Sequence, residues 1–440
     1  FVSTVGDGGV ILQFTGKELI KSEPDASSFP SGGLRETCAA RGYTAWDCTS
    51  PAFVKTTDEG TCILCIPAAF TSYTGESLDY KTPLLRSMDA ISKEALKALA
   101  MFGNTTAKKV TSSVGPEQEY FLIDKKKFAK RTDLKLCGRT LFGAMPPKGQ
   151  ELDDQYFAAI KDKIASYMTE LNEELWKYDI LAKTQHNEVA PAQHELAPIF
   201  STTNIATDQN HLVMATMKKI AAKHDLECVL HEKPFAGVNG SGKHNNWSIS
   251  TDEGENLIDP GKHPETNLQF QFFLAAVLAA VDNNAELLRL SASSAGNDHR
   301  LGANEAPPAI ISAFLGEQLQ SIVEQIIEKG ESTESPKGKT YVSGASTLPT
   351  FTMDATDRNR TSPFAFTGNK FEFRMVGSTQ SIAFPMMVLN TIVADQIKKM
   401  TDELEGADDF ETACKALIRR ELTAHQRIIF NGNGYSDEWV

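Results

Sequence analysis

The sequence predicts an α+β fold, a small strand-rich module followed by a larger mixed domain, on three observations. Residues 1–70 read as strands and turns, with little helical spacing. From Pro83 the apolar residues fall into helical spacing. Farther on, strands and helices alternate without a regular βαβ period and without an internal repeat.

In chain order, VILQFTG (10–16) and TCILCIPAAF (61–70) carry the strand signal, and EPDASSFPSGGLR is a Pro/Gly/Ser loop. The spacing in PLLRSMDAISKEALKALAMFG predicts a helix over 83–103, with proline near its start and Gly103 at its end. The boundary between the modules falls at about 75–82, which divides the chain into 1–78 and 79–440. EYFLID (119–124) predicts a strand, and 151–178 a second amphipathic helix. A third, largely buried helix is expected over 265–291. Residues 329–346 form a polar loop, FEFRMV (371–376) a strand, and 379–404 a helix despite Pro385.

Composition narrows the function. At 440 residues the chain is long enough for two or more domains and a sizeable core. Its net charge of −13 and the lack of a basic block or basic-aromatic stripe argue against nucleic acid as a partner. The strongest apolar run, FQFFLAAVLAAV (270–281), is too short to span a bilayer. A chain that opens on Phe1 and stops at SDEWV reads as a fragment. Seven cysteines without framework spacing suit reduced thiols in a cytoplasmic compartment. Cys62 and Cys65 form one CxxC, but on a strand positions three apart face opposite sides, and no second pair follows.

Chemistry concentrates on three alternations. A strand puts residues i and i+2 on one face. Glu117 and Glu119 then share a face in PEQEYFLI; so do His244, Asn246 and Ser248 in HNNWSIS, and Lys370, Glu372 and Arg374 in KFEFRM. A solvated face explains any one of these, but three together, with acids beside His or Arg, point to a shared site. TQHNEVAPAQHEL (184–196) adds Glu188 and Glu195, expected on a loop that Pro191 stiffens. His186 and His194 flank them, and each can orient a ligand or serve the core. Clustered carboxylates repel unless cations separate them. Mostly oxygen donors favour Mg²⁺ or Mn²⁺ over Zn²⁺. Two such ions can clamp a transferring phosphoryl group, with Arg358, Arg360, Lys370 and Arg374 available for its oxygens. GVNGSGKH (237–244) nearly matches a P-loop, but His244 takes the Ser/Thr position and a strand-like segment follows, so the helix N-terminus that cradles phosphate is missing.

GPEQEYFLID, HNEVAPAQHEL, NGSGKHNNWSIS, RLGANEAPP, RNRTSPFAF and KFEFR, in that order, resemble the successive active-site motifs of glutamine synthetase. EPDASSFPSGGLRETCAARGYTAWD and RNRTSPFAFTGNKFEFRMVGSTQS resemble the large type III form, which has extra segments beyond both ends. The resemblance runs from about residue 20 to 390. It implies an N-terminal β-grasp domain, a catalytic domain with a curved antiparallel sheet, and ATP-dependent joining of ammonia to L-glutamate. It also implies two or more Mg²⁺ or Mn²⁺ ions and a dodecamer with intersubunit sites.

Carried over by motif, Glu119, Glu188 and Glu195 match the ligands of one metal, and Glu117, His244 and Glu372 those of the other. Gly240 and Arg300 match glutamate-binding positions, and Arg374 the residue at the transferred phosphate and the glutamate carboxylate. Arg360 and Lys370 match phosphate-contacting positions, and Ser248 and Phe200 nucleotide-side positions. Glu305 matches the loop carboxylate that shields the intermediate and takes a proton; Asp25 matches the aspartate that a neighbouring subunit lends to the ammonium site. Two departures stand out. The common bacterial form has a second arginine where this chain has Ala365, and the step from Arg300 to Glu305 is one residue shorter. No adenylylation motif around a tyrosine is found near the C-terminus.

The competing readings are a related ligase joining glutamate to another amine, a non-catalytic assembly protein with the same fold, and a metal-dependent hydrolase. Asp25 and Glu305 favour ammonium, filled ligand positions oppose the second, and the arginine cluster opposes the third.

Overall fold

The computed structural model describes residues 2–4, 25–28, 39–57, 59–72, 74–145, 147–303, 306–336, 340–352 and 359–440; of residues 2–4, 25–28, 39–42 and 352 only the backbone is described. The N-terminal part has strands β1 (Val2–Thr4), β2 (Asp25–Ser28), β3 (Ala39–Trp46), β4 (Phe53–Thr56), β5 (Cys62–Cys65) and β6 (Ala68–Ser72). They form two three-stranded sheets, ordered β1-β5-β4 and β2-β3-β6. The strand expected over 10–16 lies outside the described residues. Buried Asp47 ties this part to the rest: it takes an ion pair from Lys81 at 3.0 Å and a hydrogen bond from Asn204 at 2.7 Å.

Next comes the helix Lys81–Met101, with Pro83 in its first turn, where a missing N–H goes unused. It buries Leu84, Ile91, Ala95, Ala98 and Leu99. Gly103, at φ 90°, turns the chain after it.

A nine-stranded sheet then organises the molecule. Its strands are β7 (Val110–Asp124), β8 (Ala182–Asn187), β9 (Gln193–Pro198), β10 (Ser201–Thr202), β11 (Leu226–Val229), β12 (Gly242–Thr251), β13 (Ala313–Phe314), β16 (Phe364–Phe366) and β17 (Phe371–Gly377). A separate hairpin pairs β14 (Thr340–Tyr341), within the stretch expected as a polar loop, with β15 (Phe351–Thr352) beyond it. The sheet runs β13-β16-β17-β12-β7-β9-β8, with β10 and β11 also on β7. Every pair is antiparallel except β13 with β16. The α+β expectation therefore holds.

Helices pack against one side of this sheet. The helix Leu268–Asn283 lies among them, buried almost throughout, between Ala383–Leu404 and Phe410–His425. Its surroundings include Trp247, Ile249, Phe371 and Phe373 from the backs of β12 and β17. Trp247 Nε1 donates to Asn390 Oδ1 at 2.9 Å, and Asn390 Nδ2 donates to Ser87 and Ser112. A second core joins Tyr120 and Leu122 of β7 to Tyr167, Leu171 and Leu175 of the helix Asp162–Trp176 and to Met217 and Ile220 of Thr203–Lys223.

The expected helix over 379–404 begins at Ala383, so Pro385 sits in its first turn and costs it no hydrogen bond. The expected helix over 265–291 divides at Asn284. The one over 151–178 divides into Asp154–Phe157 and Asp162–Trp176. Left-handed Leu152 and Asp153 precede the first piece, and Asn187 Nδ2 takes the Ala158 carbonyl at 2.9 Å, which draws it away from helical bonding. Three long helices, Thr203–Lys223, Gly316–Lys329 and Phe410–His425, lie outside the sequence expectations, as do the short ones Lys125–Ala129, Thr132–Cys137 and Ala295–Arg300. The first buries Thr203, Asn204, Thr207, Asn210 and Thr216, which dilute its apolar spacing.

Candidate active site

The site is built on the open face of the large sheet. Strand alternation puts Glu117 and Glu119 of β7 on that face and Gln118 behind it. His244 of β12 pairs directly with Glu117, and Glu195 of β9 directly with Glu119. His186 of β8 lies opposite Glu195. Between Lys243 and Asn245 the register with β17 shifts, so that one residue of β12, His244, faces two of β17, Arg374 and Met375. A bulge of this kind re-aims side chains; here it lies where His244, Glu372 and Arg374 meet.

The stretch 184–196 is a hairpin rather than one loop. β8 ends at Asn187, Pro191 sits in the turn, and left-handed Ala192 closes it. Glu188 N–H donates to Gln193 O at 2.9 Å, so Glu188 ends one arm and Glu195 lies in the other. The amide of Gln193 reaches across to Gly240 O and Ser241 Oγ, pinning the hairpin to the glycine-rich turn. That turn needs its glycines: a Cβ on Gly240 would lie 2.2 Å from Glu232 O, and one on Gly242 2.1 Å from Arg300 Nη2.

Two clusters of potential ligands result among the described residues, with the ligand atoms of each within 4.8 Å of one another. The first is Glu117, His244 and Glu372; the second is His186, Glu188 and Glu195. Both line one cavity of about 280 Å³, together with Tyr156, Thr184, Ala197, Arg360 and Arg374. His244 Nδ1 lies 3.0 Å from Glu372 Oε1 and 3.4 Å from Glu117 Oε2, and His186 Nε2 lies 3.1 Å from Glu195 Oε1. Arg374 Nε donates to Glu372 Oε1 at 3.0 Å and Nη2 to Oε2 at 3.2 Å, a two-point pair. Its Nη1 also donates to the carbonyls of Asn359 and Ser362.

The electrostatics are those of buried acids crowded beside imidazoles and one guanidinium. Burial pushes the Glu195 carboxyl up to about 7, against a hydrogen bond from His186 and with Glu117 and Glu119 adding to the rise. The hydrogen bond to Glu195 raises the His186 imidazole to about 9. Burial opposes charge on His244, but hydrogen bonds to Glu117 and Glu372 outweigh it and hold the ring well above its ordinary value. Burial likewise works to raise the Glu372 carboxyl, yet the charge of Arg374 and the His244 bond hold it below the usual range. His244 Nε2 is buried without a hydrogen-bond partner. Two carboxylates and one imidazole per cluster suit a hard divalent ion.

The remaining expected residues divide into groups. Glu119 is buried, and its Oε2 accepts from Gly242 N–H at 2.7 Å, so His186 rather than Glu119 completes the compact second cluster. Arg360 lies over the Tyr156 ring, 5.8 Å from its centre. Arg300 is only 2% exposed; it donates to Asn297 Oδ1 and Arg374 O and lies against Gly242, beside the cavity rather than lining it. Ser248 Oγ donates to Asn256 and Asn369, and Lys370 Nζ to Thr367 O. Ser248 and Thr202 both pair with Ser113 of β7, which puts Ser248 and exposed Phe200 at the same end of the sheet. Ala365 lies opposite Glu372 and is fully buried. Asp25 opens β2, but its side chain lies outside the described residues, as do Glu305 and Arg358 altogether.

Sequence reasoning missed Tyr156 and assigned His186 no definite place. The one signal for Tyr156 was an aromatic residue beside DD in a stretch read as continuous helix. Breaking that helix brings the Tyr156 ring to 5.6 Å from His186. His194 is different: it points into the core against Tyr120, and burial lowers it to about 4.

Comparison with known proteins agrees with this geometry. The family model described as glutamine synthetase, catalytic domain, matches residues 93–312; that for the glutamine synthetase type III N terminal matches 1–87, and that for the C-terminal domain matches 413–440. The type-3 glutamine synthetase of Dictyostelium discoideum is 52% identical over 437 residues, covering 99% of this chain and 59% of that protein. A glutamine synthetase of Bacteroides fragilis (strain YCH46) is 50% identical over 448 residues, covering 100% and 60%. The cryo-EM structure of Plasmodium falciparum glutamine synthetase shares the fold, with a TM-score of 0.56 at 13% identity over 97% of this chain and 86% of that one. The chain belongs to the glutamine synthetase family. Within that family it is of the type III form, and it spans 59–60% of the length of these two curated relatives.

Proposed function

We propose that the protein joins ammonia to L-glutamate at the expense of ATP, through a γ-glutamyl phosphate. The observation that carries this reading is the pair of acidic clusters on one cavity, with Arg360 and Arg374 beside them. A carboxylate does not react with ammonia directly, because hydroxide is a poor leaving group. Attack of the glutamate γ-carboxylate on the terminal phosphorus of ATP, with ADP leaving, supplies a better one. Ammonium then gives up a proton, ammonia adds to the acyl carbon, and phosphate departs.

Glu117, His244 and Glu372 would hold one divalent cation, and Glu188 and Glu195, with Glu119 or His186, the other. When bound, Mg²⁺ or Mn²⁺ supplies charge to the transferring phosphoryl oxygens. Arg360 and Arg374 line the same cavity and would stabilise the charge developing on those oxygens. Arg374 is held by Glu372 and two carbonyls, so it needs little reorganisation. Gly240 and Arg300 belong with glutamate, and Phe200, Ser248 and Lys370 with the nucleotide. Glu305 shields the intermediate and takes the proton. Asp25 acts in a neighbouring subunit's site, within a homo-oligomer we read as a dodecamer. No helix among the described residues is long and apolar enough to cross a membrane, and we place the protein in the cytoplasm.

The test is γ-glutamyl hydroxamate formation by the full chain from glutamate, hydroxylamine and ATP. Product should require both ATP and Mg²⁺ or Mn²⁺. Product independent of ATP, or none with both present, overturns the reading.

A further inference from the structure

Behind the ligand-bearing face lies a buried lysine that the chemistry above does not use. Lys243 is 0% exposed. Its Nζ donates to Asn210 Oδ1 at 2.9 Å and to Gln380 O at 2.6 Å, and touches Met214 Sδ at 3.4 Å. Among the described residues no carboxylate forms an ion pair with it. Burying a lysine amine is costly, and here burial lowers it to about 7 against the charge of Glu232. Packing alone does not call for it, since a methionine has similar volume and no charge.

The partners of Lys243 lead to all three strands of the first cluster. Asn210 Nδ2 donates to Gln118 Oε1 at 3.3 Å. Gln118 Nε2 donates to Ser378 Oγ at 3.1 Å and to Glu119 O at 3.0 Å, and Ser378 Oγ donates to Glu119 O at 2.9 Å. Gln380 in turn accepts from Gly377 N–H through its side chain at 2.7 Å. Gln118 stands between Glu117 and Glu119 on β7, Lys243 immediately precedes His244 on β12, and Ser378 and Gln380 follow β17, which carries Glu372. Each anchor therefore faces backward beside a ligand that faces forward. The three ligands of the first cluster come one from each strand, so their separation depends on how these strands stand relative to one another.

We propose that Lys243 is a positioning residue: its buried amine, through Asn210, Gln118, Ser378 and Gln380, fastens β7, β12 and β17 together from behind and so sets the Glu117–His244–Glu372 site. The compact second cluster, His186, Glu188 and Glu195, comes from the β8–β9 hairpin, and only Glu119 beside it is touched by this network, so it is less exposed to the same disturbance. The inference rests on the reading of both clusters as divalent-cation sites.

The experiment is Mn²⁺ titration of the full chain by electron paramagnetic resonance, without substrates, beside urea unfolding of the metal-free protein. Wild type should bind two classes of Mn²⁺. In Lys243→Met the protein should unfold at the wild-type urea concentration or higher. One class, the one that His244→Ala also affects, should weaken roughly tenfold or more, as for other residues that orient ligands; the other should change by less than about twofold. Ser378→Ala removes a single hydroxyl and keeps the fold; it should weaken the same class by about threefold, and it decides the matter if Lys243→Met does not fold. Wild-type affinities in the folded variants, or equal weakening of both classes, overturn the inference. A wild-type protein that binds no Mn²⁺ overturns it together with the metal reading, whereas two wild-type classes with an unaffected Lys243→Met overturn it alone.

Discussion

Glu188 and His244 illustrate how little of a ligand's role is carried by its own neighbours in sequence. Glu188 reaches the second cluster because its N–H is taken by Gln193 O across a hairpin turn. His244 reaches the first because β12 lies between Glu117 on one side and Glu372 on the other. The two residues belong to different clusters, so their removal should be separable. Glu188→Gln should weaken one class of Mn²⁺, and His244→Ala the other, each by roughly tenfold or more in equilibrium titration. A single class untouched by either change would sink the assignment of two sites. Arg374 is a contrasting case. Its guanidinium is bound to Glu372 at two points, so lysine in its place would keep the charge and lose the fork.

At the level of elements, the turn 239–241 leading into β12 is the tightest fit near the site. Gly240 is squeezed between Glu232 O and the Arg300 side chain, and backbone cannot yield as a side-chain tip can. Gly240→Ala should therefore destabilise the fold by about 1–3 kcal/mol, the usual cost of overpacking. Chemical denaturation should show a lower midpoint with an unchanged slope. A change within about 0.5 kcal/mol, typical of an unconstrained surface position, would mean that Glu232 moves freely. The same element shows where sequence patterns serve and where they fail. Alternation in HNNWSIS identified β12, and the strand-like continuation ruled out a P-loop; both follow from period 2, a local property. The break at 158–161 depended on Asn187, some 30 residues away, taking a carbonyl, and no local pattern contains that bond.

For the whole molecule, the consequence to test is a site shared between chains. Asp25 lies in the N-terminal part, and by our reading it serves a neighbour. Asp25→Ala and Glu188→Gln should each be nearly inactive as pure assemblies. Reassembled in equal proportion, ~1/4 of interfaces in a closed heterologous ring pair an intact Asp25 with an intact Glu188. Activity should return to about that fraction of wild type. No recovery, with subunit mixing shown by mass, would put Asp25 in its own chain's site or in none.

The sequence alone determined the α+β class, the strands that carry Glu117, His244 and Glu372, and the family, because alternation and motif order are properties of the chain read in line. It could also name carboxylates in excess and infer cations from their mutual repulsion. Only the tertiary structure decided which acids meet. It joined His186 to Glu188 and Glu195, held Glu119 against Gly242, buried Arg300 against the same glycine, and brought Tyr156 under Arg360. Each of these depends on register between strands distant in sequence, and register is set by the summed packing of two cores and a buried polar network rather than by any short stretch of residues.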